Sequence, residues 1–336
     1  MAENHSQSQM HFIQLIKNKL PVHLSLPEQI ATVLNLSDHS AYRRIRGEKI
    51  MSLDEVVLLA NHFGISLELL NPKVSNDLVW FSFKTLDNKS FTFEQYLQSQ
   101  IDHLERIKKA TEREMIYSAK DLPVFHYYHF DELASFKIFV WKKAIMGLEE
   151  YQDRLFSFDT VDEDANIVKG KMALERYLQV PSTEIWNDET PHSVLRQIYL
   201  YYEMGVFKNK KEALVLVDQF MEMMTHLQKQ AEAGYKFHVG DDPSEYGSTY
   251  KLYNNEVVLC DNSIFAVADD QKCVFITHNT LNYMFITNRD YCDTTHKWLK
   301  NLMNRSTLIS TASEKARRQF FNTIYEKIES VRAKIK

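Results

Sequence analysis

The segment that reads Ser-Asp-His-Ser-Ala-Tyr-Arg-Arg-Ile-Arg-Gly-Glu-Lys from position 37 has the side chains best suited to binding a polyanion. Arginine can bridge two acceptors on a guanine edge, and histidine, serine and lysine can donate to bases or phosphates. On a helical period Ala41 and Ile45 share one face, whereas His39, Arg43 and Arg46 lie on the other. The spacing therefore predicts a short helix whose outer face suits the major groove of DNA.

The candidate DNA contacts divide by expected role. We expect His39 and Arg43 to read base edges, because a bidentate arginine discriminates guanine by roughly 1–3 kcal/mol. Tyr42 has two interpretations, stacking on the sugar-phosphate backbone or packing within the protein. Phosphate contacts are expected from Ser37, Ser40, Arg46 and Lys49. The complete candidate set is Gln29, Ser37, Asp38, His39, Ser40, Tyr42, Arg43, Arg44, Arg46 and Lys49.

Helix start and stop signals place this segment in a small helical domain over residues 10–72. Ser37 is a good N-cap residue, and Gly47 can adopt the left-handed conformation that ends a helix. A second short helix precedes it over residues 27–34, so that the two form a helix-turn-helix. A capping box at Ser52–Glu55 begins the next helix. A first helix with the stripe Phe12, Leu15, Ile16 and Leu20, and a last segment with Ile65, Leu67, Leu69 and Leu70, complete five helices.

Three motifs in this domain carry a family resemblance. The chain reads Leu-Pro-Glu-Gln-Ile-Ala-x-x-Leu-Asn-Leu-Ser from position 26, Ala-Tyr-Arg-Arg-Ile-Arg-Gly-Glu from position 41, and Ser-Leu-Asp-Glu from position 52. These motifs resemble the Cro/C1 (Xre-type) helix-turn-helix family, and most closely its bacterial BetR-like branch. The resemblance covers the first fifth of the chain and implies a dimeric DNA-binding transcription regulator with a lambda repressor-like head. Some domains of this family bind protein instead, so a protein-interaction adaptor is the alternative function.

Composition sets limits on the whole chain. Its 336 residues are enough for two domains, and only 8 Gly and 7 Pro argue for a helix-rich body. A formal net charge of −5 does not itself indicate a nucleic-acid-binding protein, but DNA binding needs only a local basic face. A solvated helix face is the alternative interpretation of the arginines, and the helix-turn-helix context favours DNA.

Cysteine usage and hydropathy indicate a cytoplasmic protein. Cys260, Cys273 and Cys292 are widely spaced and form no CxxC pair, which is typical of reduced thiols. The amino terminus has no basic start followed by an apolar run, so no signal peptide is predicted. Nowhere do about 18 apolar residues follow one another, so no membrane span is predicted.

Beyond a turn-rich hinge at Asn71–Asp77, helical periodicity dominates as far as residue 234. A short hairpin is predicted over residues 81–93, and a long helix over residues 92–119. Apolar residues spaced alternately by four and three between Leu97 and Met115 permit either a coiled-coil seam or a plain amphipathic connector. Further helices are predicted at Asp131–Met146, Lys169–Leu178, Thr190–Met204 and Lys210–Ala233, like paired helices of an α-solenoid or a bundle.

From Tyr235 onward the pattern changes to short β-type runs separated by turn residues. The predicted strands are Tyr250–Tyr253, Val257–Leu259, Ser263–Val267, Cys273–Thr277 and Tyr283–Ile286. Five closely spaced strands imply an antiparallel sheet, which two helices would cover. These helices are predicted at about Thr294–Asn304 and Glu314–Val331.

The predicted fold class is mainly α, with a five-helix head, a helical linker and a larger helical body that ends in a small antiparallel α+β module. The predicted domains are the helix-turn-helix head (10–72), a linker with a long connecting helix (73–120), a helical domain (121–234) and an effector-like or sensor-like α+β module (235–336). Motifs at Asp121–His126, Phe136–Phe139 and Ser182–Trp186 also resemble an uncharacterised carboxyl-terminal domain of bacterial regulators. This second resemblance supports the architecture and names no ligand.

Patterns for catalysis or metal binding are weak. His126, His129 and Asp131 could approach a metal ion, but the aromatic residues between them favour a packed core segment. No glycine-rich phosphate loop and no nucleophile elbow occurs, so neither an enzyme nor a cofactor or metal site is expected. The sequence therefore predicts a homodimeric regulator that binds double-stranded DNA. Its carboxyl-terminal region would take a small-molecule or protein effector.

Overall fold

The computed structural model describes residues 2–20, 24–70, 79–87, 89, 91–160, 165–242 and 247–335. The chain divides into two units, Met1–Trp80 and Phe81–Lys336. Each unit encloses its own hydrophobic core, and Ile16, Ile30 and Leu59 are fully buried in the first. The hinge predicted at residues 71–77 lies outside the described residues.

Four α-helices and one short 3-10 helix build the described part of the first unit. They are α1 (Ala2–Lys19), α2 (Leu26–Leu34), α3 (Asp38–Ile45), α4 (Leu53–Phe63) and the 3-10 helix Leu67–Leu70. The Ser52 hydroxyl accepts from the Glu55 N–H at 3.2 Å, while the Glu55 carboxylate accepts from the Ser52 N–H at 3.0 Å. This is the predicted capping box, and Gly64 ends the same helix with a φ of 59°. The predicted helix positions are confirmed here, although the fifth element is a 3-10 helix.

The described part of the second unit contains eight strands in one mixed sheet. The strands are β1 (Ser82–Phe83), β2 (Arg113–Ser118), β3 (Ser182–Trp186), β4 (Tyr250–Asn254), β5 (Ser263–Ala268), β6 (Gln271–His278), β7 (Asn282–Ile286) and β8 (Thr307–Leu308). Their order in the sheet is β1-β7-β6-β5-β2-β3-β4-β8. The neighbours β2, β3 and β4 run parallel, so long connections with helices join them. The other neighbouring pairs are antiparallel.

Helices connect and flank these strands. They are α5 (Phe93–Lys109), α6 (Asp131–Val140), α7 (Glu149–Gln152), α8 (Ala165–Leu178), α9 (His192–Glu203), α10 (Lys210–Ala233), α11 (Arg289–Asn304) and α12 (Glu314–Ile335), with 3-10 helices at Val124–His129 and Phe158–Thr160 and a π-helical turn at Trp141–Ile145. The bounds of α10 agree with the prediction, and Gly234 ends it with a φ of 75°. Within the described ranges, no helix has both the length and the apolar character needed to cross a membrane.

The predicted fold class is wrong. The chain is not mainly α with a small antiparallel module, because an eight-stranded mixed sheet runs through the second unit. Strand β2 lies within the predicted long helix, and β3 lies between two predicted helices in what was predicted to be a helical domain; every residue of β3 is buried. Helices from residues 131–233 belong to one unit with this sheet, so they form neither a solenoid nor a bundle.

The coiled-coil interpretation of residues 92–119 is wrong as well. The helix ends at Lys109, and the chain continues as β2. Leu97, Ile101 and Leu104 are buried in the core of their own unit, so they form no seam toward a second chain. Burial of an amphipathic face within the same unit explains the four-and-three spacing equally well.

Two smaller predictions about strands also fail. The hairpin predicted over residues 81–93 does not form, because β1 pairs with β7 and Phe93 begins α5. The predicted run Val257–Leu259 forms no strand. The other four predicted strands fall within β4, β5, β6 and β7, and are confirmed.

Candidate nucleic-acid interface

One face of α3 is exposed and basic. Tyr42 is 46% exposed, and the side chains of Arg43 and Arg46 are 50% and 67% exposed. His39 is exposed as well, whereas Ala41 on the opposite side of the helix is fully buried. We call His39, Tyr42, Arg43 and Arg46 the α3 face. The structure thus brings together the residues that the helical period placed on one side.

Local hydrogen bonds set the start of α3. The Ser37 hydroxyl accepts from the Ser40 N–H at 3.4 Å and lies 3.1 Å from the Ser40 hydroxyl, so Ser37 is the predicted N-cap. Asn35 ends α2 with a φ of 51°, which leaves three residues between the two helices. Asp38 is exposed in the first turn of α3, and Gln29 is half-buried on α2.

One carboxylate contacts both arginines of the α3 face. Glu48 Oε2 is 3.9 Å from Arg43 Nε, and Glu48 Oε1 is 3.6 Å from Arg46 Nη1. The Arg46 guanidinium carbon also lies 5.8 Å from the centre of the Tyr42 ring. Ion pairs this exposed stabilise a protein by about 0–1 kcal/mol, so a phosphate group can readily replace Glu48. Lys49 is exposed nearby, and none of the described carboxylates lies within ion-pair distance of it.

Arg44 does not belong to the α3 face, which corrects its place among the predicted DNA contacts. Its side chain is buried, and its guanidinium forms two hydrogen bonds with the Glu55 carboxylate on α4. Helical geometry explains this position, because Arg44 follows Ala41 by three residues and therefore turns toward the same inner side. Arg44 sets the orientation of α3 instead of contacting a ligand.

Gln9 is a supporting residue that the sequence patterns did not reveal. Its Nε2 donates to the carbonyl oxygens of Arg44 and Lys49, at 2.8 Å in each case. Its Oε1 accepts from the Met51 N–H at 2.9 Å. These three bonds from α1 hold the loop that follows α3. No local signal predicts them, because the partners lie 35 to 42 positions away.

The histidines considered as metal ligands have other partners in the second unit. His126 Nε2 is 2.8 Å from Glu184 Oε1, and both side chains are buried. His129 packs edge-on against His226, with ring centres 4.8 Å apart. Asp131 forms an ion pair with a lysine of α8 at 2.7 Å. The three candidates do not converge on one point, and residues 124–128 are buried as the alternative interpretation expects.

Comparison with known proteins gives no independent assignment. No family of proteins, no curated protein and no solved structure matches this chain.

Proposed function

We propose that this protein is a sequence-specific DNA-binding transcription regulator whose first unit places α3 in the major groove. The observation that carries this proposal is the α3 face, on which a histidine and two arginines are exposed together. The helix has eight residues and follows α2 after three, which fits the second helix of a helix-turn-helix. Arg44 and Gln9 hold its orientation, so the reading side chains project from a fixed support.

Each residue of the interface has a role in this proposal. His39 and Arg43 read base edges, because both are exposed and lie four residues apart on one side of α3. Tyr42 is half exposed beside Arg46, which supports stacking on the sugar-phosphate backbone over packing within the protein. Phosphate contacts come from Ser37, Ser40, Arg46 and Lys49, flanked by Gln29 and Asp38.

A homodimer acting in the cytoplasm is part of the same proposal. One eight-residue helix reads a short half-site, and a second copy supplies the other half with a spacing fixed by symmetry. The described cysteines, Cys260, Cys273 and Cys292, are free thiols, which supports a reducing compartment. The larger second unit is proposed to hold the effector site.

Selection of duplexes from a randomised pool tests this function. The full-length protein is incubated with the pool at moderate salt, and bound DNA is amplified and sequenced. We expect an enriched inverted repeat. Arg43→Ala should flatten the preference among sequences, whereas Arg318→Ala should leave it unchanged. Arg318 is a suitable control because it is an exposed, ion-paired arginine on α12 of the second unit.

The alternative function is a protein-interaction adaptor that does not read DNA directly. Two exposed apolar side chains favour it, since Ile50 is 69% and Leu53 is 75% exposed just after the α3 face. The first unit also carries 7 Lys and Arg against 8 Asp and Glu, so its overall charge attracts DNA little. Failure of the pool to yield any enriched duplex would favour the adaptor and overturn the regulator.

A further inference from the structure

A cavity of about 480 Å³ opens in the second unit beside α6 and the loop that follows α7. Its volume falls in the range of small-molecule sites, roughly 300–1,000 Å³. The side chains that matter for recognition are three cations and three aromatic rings. They are Lys142, Arg154, Lys208, Phe139, Tyr151 and Phe156. We call this cavity the cationic pocket.

A π-helical turn directs one cation into the cationic pocket. The turn spans Trp141–Ile145, and the Met146 N–H donates to the Trp141 carbonyl at 2.8 Å. Single π-helical turns occur frequently at functional sites, because they redirect side chains at some loss of helix regularity. Lys143 points toward α7, where its ammonium donates to the Tyr151 carbonyl at 2.7 Å. Lys142 is the one of the two lysines that lines the pocket.

Backbone hydrogen bonds between Phe156 and the segment 206–208 position a second part of the pocket lining. The Phe156 N–H donates to the Val206 carbonyl, and the Lys208 N–H donates to the Phe156 carbonyl, both at 2.8 Å. This short ladder fixes Lys208 at the pocket, where its ammonium is 2.5 Å from Asp159. Of the described residues that line the pocket, Asp159 alone carries a carboxylate, so three cations among them accompany one negative charge.

Two of the cations surround one aromatic ring and have no carboxylate partner among the described residues. Lys142 Nζ lies 5.4 Å and the Arg154 guanidinium carbon 5.1 Å from the centre of the Tyr151 ring. The Lys142 ammonium also donates to the Tyr151 hydroxyl at 3.2 Å. Contacts with a ring face attract a cation but do not neutralise it. Within the described part of the chain, the cationic pocket therefore combines two cations that have no carboxylate partner with an apolar floor formed by Phe139 and Phe156.

We propose that the cationic pocket binds a small organic anion in which a carboxylate or phosphate is attached to a ring-sized apolar body. The anionic group would lie between Lys142 and Arg154, because both side chains are charged donors and can form charge-assisted hydrogen bonds with it. The apolar body would pack on Phe139 and Phe156. The role of this pocket as an effector site rests on the proposed regulator function, whereas binding of the anion is measured without DNA.

Ligand-observed NMR titration of the full-length protein tests the site with phenyl phosphate and benzoate as probes. Inorganic phosphate and benzyl alcohol represent the two halves of such a ligand, because the first has the anionic group alone and the second has the apolar ring alone. We expect saturable binding of at least one intact probe and weaker binding of both halves. Arg154→Gln should weaken binding of that probe about fivefold or more, since it removes a charged donor. Lys297→Gln should not, because Lys297 is exposed on α11 and does not line the pocket.

Unfolding midpoints measured for both variants show that each remains folded, so a loss of binding reports on the pocket. No saturable binding of either probe would overturn the proposal. Equal affinity in Arg154→Gln and Lys297→Gln would overturn it as well. Repeating the DNA selection with the bound probe separates the two proposals. Binding to the pocket with no duplex enriched at all keeps the site and removes the regulator function.

Discussion

The Arg44 guanidinium on α3 and the Glu55 carboxylate on α4 form a two-hydrogen-bond pair, with Nε to Oε2 at 3.1 Å and Nη2 to Oε1 at 2.5 Å. The same carboxylate accepts from the Ser52 N–H at the start of α4. Arg44 also donates to the Ser40 carbonyl at 3.2 Å. These bonds tie the start of α4 to α3. Chiefly because of the bonds from Arg44, the pKa of the Glu55 carboxyl lies below its usual value.

We expect Arg44→Ala to destabilise the first unit by about 2 kcal/mol, because it removes a buried guanidinium and leaves the half-buried Glu55 carboxylate without its charged partner. Hydrogen–deuterium exchange of the full-length protein measures this effect on amides of α3 and α4. Arg43→Ala is the matched control, since it removes an exposed arginine from the same helix and should change stability by less than about 0.5 kcal/mol. Equal exchange rates in the two variants would show that the Arg44–Glu55 pair does not support α3.

Glu48→Gln should strengthen DNA binding, because it releases Arg43 and Arg46 from a competing carboxylate. At low salt we expect a gain of about threefold to tenfold, comparable with the small free energy of exposed ion pairs.

Lys49→Ala should weaken binding to all sequences alike and lower the salt slope by about one unit. Fluorescence anisotropy with a labelled duplex at several salt concentrations measures both effects.

Glu326→Gln is the control for the loss of a negative charge, because Glu326 is exposed on α12 of the second unit. It should leave the affinity unchanged. An affinity for Glu48→Gln equal to that of the unmodified protein would mean that the α3 face does not meet the phosphates.

The helices of the first unit could be predicted because their signals are local. Ser37, Ser52 and Gly64 cap helices through residues at most three or four positions away. The exposed side of α3 followed from helical spacing for the same reason. Arg44 was assigned wrongly, since charge alone suggested a surface residue and its partner Glu55 lies in the next helix.

Four strands of the sheet in the second unit, β4 to β7, were predicted from local patterns, whereas β2, β3 and the mixed order of the sheet were not. Strand β3 contains Glu184, and a charged residue is unexpected in a fully buried strand. The end of α5 depends on distant residues, because the Asp269 carboxylate accepts from the N–H groups of Thr111 and Glu112 at 2.8 and 3.0 Å. Arg113 caps the same helix by donating to the Lys108 carbonyl. The bonds with Asp269 join residues 158 and 157 positions apart, so they leave no periodic trace in the sequence.

Glu184 is the centre of a buried hydrogen-bond network, and we expect its neutral variant to destabilise the second unit. Its carboxylate accepts from Trp186 Nε1 at 2.8 Å, from the Tyr250 hydroxyl at 3.2 Å and from the Tyr177 hydroxyl, and lies 2.8 Å from His126 Nε2. Burial alone would raise the pKa of Glu184, but the charge of His126, the hydrogen bonds with His126 and Tyr177, and the charge of Lys236 hold it below its usual value.

Glu184→Gln turns two of these acceptor positions into donors, so donors face donors in the core. We expect a loss of about 3–5 kcal/mol, as for other broken buried charge networks. Urea unfolding followed by tryptophan fluorescence, to which the fully buried Trp186 beside Glu184 contributes, measures it. Glu326→Gln again serves as the exposed control. A midpoint for Glu184→Gln within error of this control would show that the network adds no stability.

His226 makes the stability of the second unit depend on pH. Its Nε2 lies 2.9 Å from the Phe237 carbonyl, and its ring packs against His129. Burial is the main cause that lowers the pKa of His226 to about 4, the charges of His126, Lys229 and His238 add to this shift, and the hydrogen bond with the Phe237 carbonyl opposes part of it. Burial likewise holds the pKa of His129 well below its usual value. Both rings are therefore neutral in the folded protein under conditions where the unfolded chain binds protons.

The unfolded chain takes up a proton at each of these histidines below about pH 6.5, whereas folded His226 stays neutral until about pH 4. The contribution of these histidines to the free energy of unfolding should thus be level above about pH 6.5 and fall by about 1.4 kcal/mol per pH unit per histidine below it. His226→Gln removes one of these contributions, so between pH 7.5 and pH 5 it should lose about 2 kcal/mol less than the unmodified protein. Urea unfolding at the two pH values measures the difference.

His278→Gln changes an exposed histidine and should retain the full pH dependence. If His226→Gln and His278→Gln lose the same stability on acidification, His226 is protonated in the folded protein and the predicted pH dependence has another origin.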